Sequence, residues 1–148
     1  MAKYVYPAIF TPAEEGGYVV TFPDWEGATQ GEDKADAIDM ANDWMNMTCW
    51  SAEHEGKSFS EPTPVESIKA PEGGFVNLCL ADTVAYNEVV ERENNPIKYA
   101  RRKAGLNIKG LADLLGAPYR TVQEWNAGRQ MPPQWVQRLV LEKINATI

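Results

Sequence analysis

The chain has 148 residues, of which 44% are hydrophobic and 24% are charged, the balance of an ordinary globular protein. No apolar run approaches the ~18 residues that a membrane-spanning helix needs. The N-terminus lacks the apolar core of a signal peptide, so we expect a cytoplasmic protein.

The net charge of −7 is divided unevenly along the chain. Residues 1–93 carry 5 Lys/Arg against 18 Asp/Glu, a net charge of −13, whereas residues 94–148 carry 9 against 3, a net charge of +6. This asymmetry predicts two domains, 1–93 and 94–148, with different partners. The basic domain suits phosphates, and the acidic domain suits a basic protein.

The pattern of residues 1–93 predicts an α+β domain with a small, mostly antiparallel sheet and a packed helix. Alternating aromatic and β-branched residues indicate strands, and an apolar period of 3.6 residues indicates a helix. In chain order we expect strands at Tyr4–Phe10, Tyr18–Phe22 and Ala28–Gln30, a helix from the N-cap Asp33 to Ala52, a loop over Glu53–Gly74, a strand at Phe75–Leu80, and a helix from the cap Asp82 to Glu93.

The first predicted helix has one broad apolar face for packing on the sheet. That face comprises Ala37, Ile38, Ala41, Trp44, Met45, Thr48, Cys49 and Ala52. Trp50 points away from it, among Asp39, Asp43 and Asn46. In one interpretation the following loop covers Trp50. In the other, Trp50 belongs to a protein-binding patch, because Trp and Met are enriched at interfaces.

The residues that usually carry catalysis or bind metals are sparse and scattered. Cys49 and Cys79 are expected to be buried free thiols, since they lie far apart among apolar residues with no accompanying histidine pattern. The single histidine, His54, has no nucleophile partner in the sequence. We therefore expect no catalytic residue, no metal and no cofactor.

Residues 94–148 predict an all-α domain of four short helices. These are Pro96–Ala104, Ile108–Leu115, Tyr119–Ala127 and Pro133–Ile144. Asn107 suits the N-cap of the second helix, and Gly116 suits its left-handed C-cap. About three residues join the second and third helices, which is the spacing of a helix-turn-helix.

The stretch from Leu111 to Arg129, LADLLGAPYRTVQEWNAGR, resembles the Xre/Cro-type DNA-binding domain. The resemblance implies that the third helix enters the major groove of DNA. Arg120 and Gln123 are the expected base readers, because Arg suits guanine and Gln suits adenine. The other predicted DNA-binding residues are Tyr119 and Glu124 on the outward face and Lys109, Thr121 and Arg129 at phosphates. The alternative is a solvated helix face, in a fold that serves only for dimerisation.

The segments Tyr6–Phe10, Glu15–Asp24, Thr29–Gly31 and Ala35–Ala41 resemble the HicB family of antitoxins. The resemblance implies a reduced ribonuclease H-like fold that neutralises a HicA toxin, a small basic ribonuclease. It also implies repression of the shared operon. The departure from the family pattern lies at Trp25 and Ala28. The expected toxin-binding residues are Trp25, Asp36, Asp39, Asp43 and Trp50.

A ribonuclease H-like fold raises the alternative of a metal-dependent nuclease. Such chemistry needs several carboxylates converging on two cations. The first predicted strand has no Asp or Glu, and the acidic residues concentrate in turns and on the outer face of the helix. They are better interpreted as a solvated face that attracts a partner.

The main hypothesis is a HicB-like antitoxin and autorepressor that is not an enzyme and binds operator DNA as a homodimer or higher even oligomer. The second is a stand-alone Xre-type regulator whose N-terminal domain senses a ligand or mediates oligomerisation. The third is a residual nuclease.

Overall fold

The computed structural model describes residues 2–148, which form two compact units. The first ends at Asn87, and the second is Glu88–Ile148. In chain order the elements are β1 Lys3–Pro12, β2 Tyr18–Thr21, β3 Ala28–Gly31, α1 Lys34–His54, a 3₁₀ turn Val65–Ser67, β4 Phe75–Asp82, α2 Thr83–Asn94, α3 Pro96–Lys103, α4 Ile108–Leu115, α5 Tyr119–Ala127 and α6 Gln134–Asn145.

The first unit is built on a four-stranded antiparallel sheet with the strand order β3-β2-β1-β4. The predicted α+β class and the order β-β-β-α-β-α are confirmed, and the predicted ends of these elements differ from the observed ends by at most two residues. One difference is that Glu53 and His54, expected in the loop, form the last turn of α1.

One face of the sheet is covered by α1. Side-chain alternation sends Tyr6, Ala8 and Phe10 of β1 into the core and leaves Val5 on the opposite face. The buried stripe of α1 recurs every four residues, at Ala37, Ala41, Met45 and Cys49. The predicted apolar face of this helix is therefore confirmed.

The start of α1 is fixed by two hydrogen bonds from backbone N–H groups to aspartate side chains. The backbone N–H of Asp36 donates to Asp33 Oδ1 at 2.8 Å, and the N–H of Glu32 donates to Asp36 Oδ2 at 2.8 Å. This is a variant of the capping box, in which the N3 side chain Asp36 accepts from the residue before the N-cap rather than from the N-cap itself. The predicted N-cap Asp33 is confirmed.

Strand β3 and helix α1 approach each other most closely at Gly31. A Cβ atom at Gly31 would overlap the backbone N and Cα of Ala37, and only glycine fits there. The small side chains of Ala37 and Ala41 continue this close contact along the helix. The separation of α1 from the sheet is therefore set by the absence of side-chain volume at this crossing.

The long segment between α1 and β4 is held by aromatic and polar contacts. Phe59 stacks on Tyr4 with ring centroids 4.3 Å apart and meets the edge of Trp25 at 5.5 Å. Further along, the N–H and hydroxyl of Thr63 donate to the carboxylate of Asp24. This segment therefore completes the core at the end of the sheet where β1 begins.

The two cysteines of the first unit are buried free thiols, as predicted. Burial raises the pKa of Cys49 to about 12 and that of Cys79 to about 11. Both groups therefore stay protonated across the physiological range and pack as small apolar side chains.

The second unit has a separate core among its four helices. Its fully buried members are Ile97, Leu111, Ala112, Val122, Val140 and Ile144. Asn95 caps α3 by accepting a hydrogen bond from the N–H of Lys98, and Pro96 is the first residue of that helix, as predicted. Among the helices of residues 2–148, none combines the length and the hydropathy of a membrane-spanning segment.

We expect Gly31→Ala to lower the free energy of unfolding by about 1–3 kcal/mol, because the added methyl group would have to displace the backbone of α1. Equilibrium unfolding in urea measures the change. The matched control is Gln30→Ala, at the exposed neighbouring position on β3, where we expect a much smaller effect. Equal losses for the two variants would contradict the close-contact argument.

Candidate functional site

Helices α4 and α5 are joined by the three residues Gly116, Ala117 and Pro118. Asn107 caps α4 by accepting a hydrogen bond from the N–H of Gly110 at 2.7 Å. Gly116 ends α4 with φ +68°, a left-handed conformation that glycine adopts without strain. The predicted caps of this pair of helices are therefore both present.

The packing of α4 on α5 decides which side of α5 faces solvent. Leu111 and Ala112 of α4 are buried together with Val122 of α5, and Trp125 packs against them half-buried. Since Val122 and Trp125 face inward, Arg120 and Gln123 lie on the outer side and are exposed.

The predicted DNA-binding residues lie around this outer side of α5. Tyr119 is 50% exposed, and Arg120 and Gln123 are exposed beside it. Thr121 and Glu124 are half-buried. The remaining two are exposed at the periphery: Lys109 in the first turn of α4 and Arg129 just after α5.

Two of the predicted cations are paired with carboxylates. Arg129 donates to Glu124 from Nε at 2.8 Å and from Nη2 at 3.1 Å. This pair raises the pKa of Arg129 and lowers that of Glu124. Lys109 lies 3.2 Å from Asp113, one turn along α4. The positive charge offered at these two positions is therefore partly neutralised by the protein itself.

The C-terminal end of α5 is fastened by residues that the sequence did not single out. Arg101 of α3 donates to Asn126 Oδ1 at 3.0 Å from Nη2 and to the carbonyl oxygen of Leu106 at 2.6 Å. Asn95 Nδ2 donates to the carbonyl oxygen of Trp125 at 2.9 Å. Burial lowers the pKa of Arg101, which nonetheless remains charged. These residues contact α5 on the side away from its exposed face, and no local sequence pattern indicates them.

The first unit carries a second candidate surface on the solvent side of α1. Five exposed residues at helical spacing form a stripe, which we call the α1 outer stripe: Asp36, Asp39, Met40, Asp43 and Met47. Three carboxylates and two exposed methionines thus share one face. Such a face combines negative charge with adaptable apolar contact.

A groove flanks each end of the α1 outer stripe. The groove at Asp36 and Met40 has a volume of about 360 Å³ and is also lined by Glu15 and Glu32. The groove at Met47 has a volume of about 420 Å³ and is also lined by Trp25. The sequence prediction named Trp25 and the aspartates but neither Glu15, which comes near α1 through the sheet, nor Glu32, which directly precedes the N-cap Asp33.

The two predicted interface tryptophans have different surroundings. Trp25 meets the rings of Tyr6 and Phe59 edge to face, and its indole N–H is buried without a hydrogen-bond partner among residues 2–148. Trp50 donates its indole N–H to Asn87 Oδ1 at 2.9 Å.

Trp50 also packs against the rings of Tyr86 and His54. The cover expected from the loop Glu53–Gly74 therefore comes from the first turns of α2 and the last turn of α1. Trp50 follows Met47 on the same face of α1, and its indole N–H and ring are engaged with Asn87 and Tyr86 of α2.

Within residues 2–148, no group of three or more His, Cys, Asp or Glu side chains lies close enough to hold a metal ion. Outside the stripe, several acidic residues have partners of their own. Glu88 and Glu91 pair with Lys103 and Arg102, at 2.7 Å and 3.6 Å.

Comparison with known proteins assigns the chain to a family. It is 33% identical over 94 residues to the antitoxin HicB of Escherichia coli K12, an alignment that covers 60% of this chain and 67% of that protein. The chain belongs to the HicB antitoxin family. The HicB of Escherichia coli O157:H7 gives the same values, and antitoxin HicB 1 of Photorhabdus laumondii is 51% identical over 39 residues, 26% of this chain and 25% of that one.

Part of the fold of this HicB-family chain is also found in a solved structure. A chain of a toxin–antitoxin complex from Streptococcus pneumoniae superimposes with a TM-score of 0.53 and 23% sequence identity, covering 57% of this chain and 72% of that chain. No family model matches the sequence. The resemblance to HicB predicted from the strand and helix motifs is confirmed.

Proposed function

We propose that this HicB-family protein is a cytoplasmic antitoxin that neutralises a small, basic, HicA-like ribonuclease and represses its own operon by sequence-specific DNA binding. It has no catalytic activity of its own in this scheme. Membership of the HicB family carries the proposal. The division of charge supports it, because an acidic unit suits a basic toxin and a basic unit suits DNA.

The DNA-binding half of the proposal rests on the geometry of α4 and α5. We propose that they act as a helix-turn-helix, with α5 as the recognition helix. Arg120 and Gln123 project from the side of α5 opposite its buried residue Val122, where a major groove can receive them. Arg120 suits guanine O6 and N7, and Gln123 suits adenine N6 and N7. Tyr119 and Glu124 border these two side chains, and Thr121, Lys109 and Arg129 are placed for phosphates.

We expect Arg120→Ala and Gln123→Ala each to weaken binding to the DNA upstream of the operon by about 1–3 kcal/mol and to spare an unrelated duplex of equal length. Lys109→Ala serves as the comparison. Loss of a phosphate contact should weaken binding to both duplexes alike and reduce the slope of log affinity against log salt concentration by about one. Fluorescence anisotropy over a salt series measures both. If Arg120→Ala affects the two duplexes equally, Arg120 is not a base reader.

Reading an inverted repeat requires a dimer, and α6 offers a self-complementary surface for one. Trp135 is 68% exposed and Leu139, one turn later, is 54% exposed. Beside them lies a largely apolar groove of about 430 Å³, lined by Leu114, Trp125, Leu139 and Lys143 among others. A projecting tryptophan thus stands next to a cavity that can receive one.

We propose that α6 pairs antiparallel with α6 of a second copy, with the two-fold axis at Leu139. Trp135 then lies opposite Lys143 of the partner subunit, because each is four residues from Leu139. The contact places an ammonium group against an indole ring, which is a favourable cation–π arrangement. The same operation brings the exposed Arg138 near the oppositely charged Glu142 of the partner subunit.

We expect Trp135→Ala to weaken this dimer by about 2 kcal/mol or more, as loss of a tryptophan that contributes strongly to an interface does, and to weaken operator binding with it. Sedimentation velocity measures the association, and circular dichroism monitors folding. The matched control is Met131→Ala, an exposed apolar residue before α6 and outside the groove. An unchanged association constant for Trp135→Ala would exclude α6 as the interface.

The toxin-binding half of the proposal places the toxin on the α1 outer stripe and its two grooves. Asp36, Asp39 and Asp43 attract a basic surface, while Met40 and Met47 supply apolar contact area. The groove that contains Trp25 extends this surface at its C-terminal end. Trp50 borders this surface, half-buried one turn after Met47, where it packs against α2.

We expect Asp39→Lys to weaken binding of a HicA-like toxin by at least about tenfold, because the introduced lysine would face the basic surface of the toxin. The toxin to test is the product of the short open reading frame beside the gene. Glu66→Lys is the control, since it makes the same charge change at an exposed position on the 3₁₀ turn. Growth rescue on co-expression and titration calorimetry provide the measurements. Equal effects of the two variants would show a response to net charge rather than a site on α1.

A further inference from the structure

Glu124 is the only acidic residue in the sequence from Tyr119 to Arg129, the segment that we place against DNA. DNA phosphates repel a carboxylate, so an acidic residue in this segment opposes binding unless a cation compensates its charge. The side chain of Glu124 is 26% exposed, whereas that of Arg129 is 62% exposed. The carboxylate is therefore set more deeply in the protein than the guanidinium group with which it pairs.

The pair between Glu124 and Arg129 is bidentate. Arg129 donates from Nε to Oε2 of Glu124 at 2.8 Å and from Nη2 to Oε1 at 3.1 Å. Two parallel hydrogen bonds between charged groups are stronger than neutral ones and fix the plane of the guanidinium group. Gly128 ends α5 with φ +77°, so Arg129 has left the helix and can turn back to the carboxylate.

The charges of this pair cancel each other where a phosphate would approach. Hydrogen bonds from Arg129 lower the pKa of Glu124, and the charges of Arg129 and Arg120 act in the same direction. The same hydrogen bonds raise the pKa of Arg129. Both groups therefore stay ionised at neutral pH, and a phosphate meets an ion pair instead of a free cation.

The other ion pair among the predicted DNA-binding residues is looser. Lys109 Nζ lies 3.2 Å from Asp113 Oδ2, and the two side chains are 74% and 70% exposed. Exposed pairs of this kind contribute little free energy, so a phosphate can replace Asp113 easily. Loss of Arg129 would instead leave a half-buried carboxylate without the arginine that compensates it, which is costly. Arg129 is therefore held more firmly than Lys109.

The attraction of the second unit to DNA depends on a small excess of cations. Residues 88–148 carry 10 Lys/Arg against 6 Asp/Glu, a net charge of +4. Sequence-independent affinity for DNA comes from cations that neutralise phosphates and release the counterions bound there. With so small an excess, a single cation that stays in an internal ion pair changes that affinity measurably.

We propose that Glu124 competes with DNA phosphates for Arg129 and thereby lowers the sequence-independent affinity of the second unit. This inference deepens the proposed DNA binding by α4 and α5 and rests on it. The N–H groups that Arg129 donates to Glu124 are the groups that a phosphate would otherwise accept. A larger share of the affinity for the operator then comes from Arg120 and Gln123, and binding depends less on ionic strength.

The first experiment compares the full-length protein with Glu124→Gln on a duplex unrelated to the operon, by fluorescence anisotropy over a salt series. Glutamine keeps the size of the side chain and removes its charge. We expect binding to become at least about threefold tighter, and the slope of log affinity against log salt concentration to steepen by about one, because Arg129 becomes available to a phosphate. Circular dichroism monitors folding.

Glu66→Gln is the matched control, since it removes the same charge from an exposed residue of the first unit. It should leave the affinity for the unrelated duplex within about twofold of the wild-type value, because surface charges away from the DNA are screened by salt. An equal gain for the two variants would show a response to total charge and would overturn the proposal, as would the absence of a gain for Glu124→Gln.

A double variant tests the competition without changing the net charge. Glu124→Gln combined with Arg129→Gln removes one negative and one positive charge. If the pair is already neutral towards DNA, this variant should bind the unrelated duplex with the same affinity and salt slope as the wild-type protein. A salt slope reduced by about one would show that Arg129 contacts a phosphate despite Glu124, which contradicts the proposal.

Failure of this inference and failure of the proposed DNA recognition give different results. The preference of the wild-type protein for the operator over the unrelated duplex tests recognition, whereas the effect of Glu124→Gln is measured on the unrelated duplex alone. Because a phosphate contact carries no sequence information, Glu124→Gln should leave that preference unchanged. Weaker operator binding with no gain on the unrelated duplex would overturn the competition and make Glu124 a base contact.

Discussion

The close packing of α1 on the sheet is the constraint from which the first unit follows. Gly31 lets the helix approach the sheet, and the buried stripe from Ala37 to Cys49 fixes its rotation about its own axis. Once that stripe is buried, Asp36, Asp39 and Asp43 must face solvent, because burying a carboxylate without a partner costs several kcal/mol. The acidic surface of α1 therefore follows from the packing of the core as well as from the number of acidic residues in the helix.

The same packing leaves the opposite face of the sheet and the edge of β4 without a cover from α1. Val5, Leu78 and Leu80 are exposed there, whereas Pro7 on the same face is fully buried and the 3₁₀ turn Val65–Ser67 contacts β4. In the second unit, α6 presents Trp135 in a comparable way. Exposed apolar side chains thus occur in both units of this HicB-family protein.

In the second unit the orientation of α5 depends on polar contacts as well as on the core. Arg101 and Asn95 hold the last turn of α5 through Asn126 and the Trp125 carbonyl group. Pairing of Arg129 with Glu124 then leaves Arg120 and Gln123 as the exposed polar side chains at the centre of the outer face. A rigidly held helix loses less entropy on binding, which favours specific recognition.

The sequence by itself determined the order and nearly all the limits of the helices and strands, the caps Asp33, Asn107 and Gly116, and the resemblance to HicB. These signals act within a turn or a strand, so they can be seen in a few neighbouring residues. Only the tertiary structure decided that α2 covers Trp50, that Glu15 lines the groove at Asp36, and that β4 lies at the edge of the sheet. Those outcomes depend on contacts between residues tens of positions apart, and strand order and side-chain pairing at that separation leave no local pattern in the sequence.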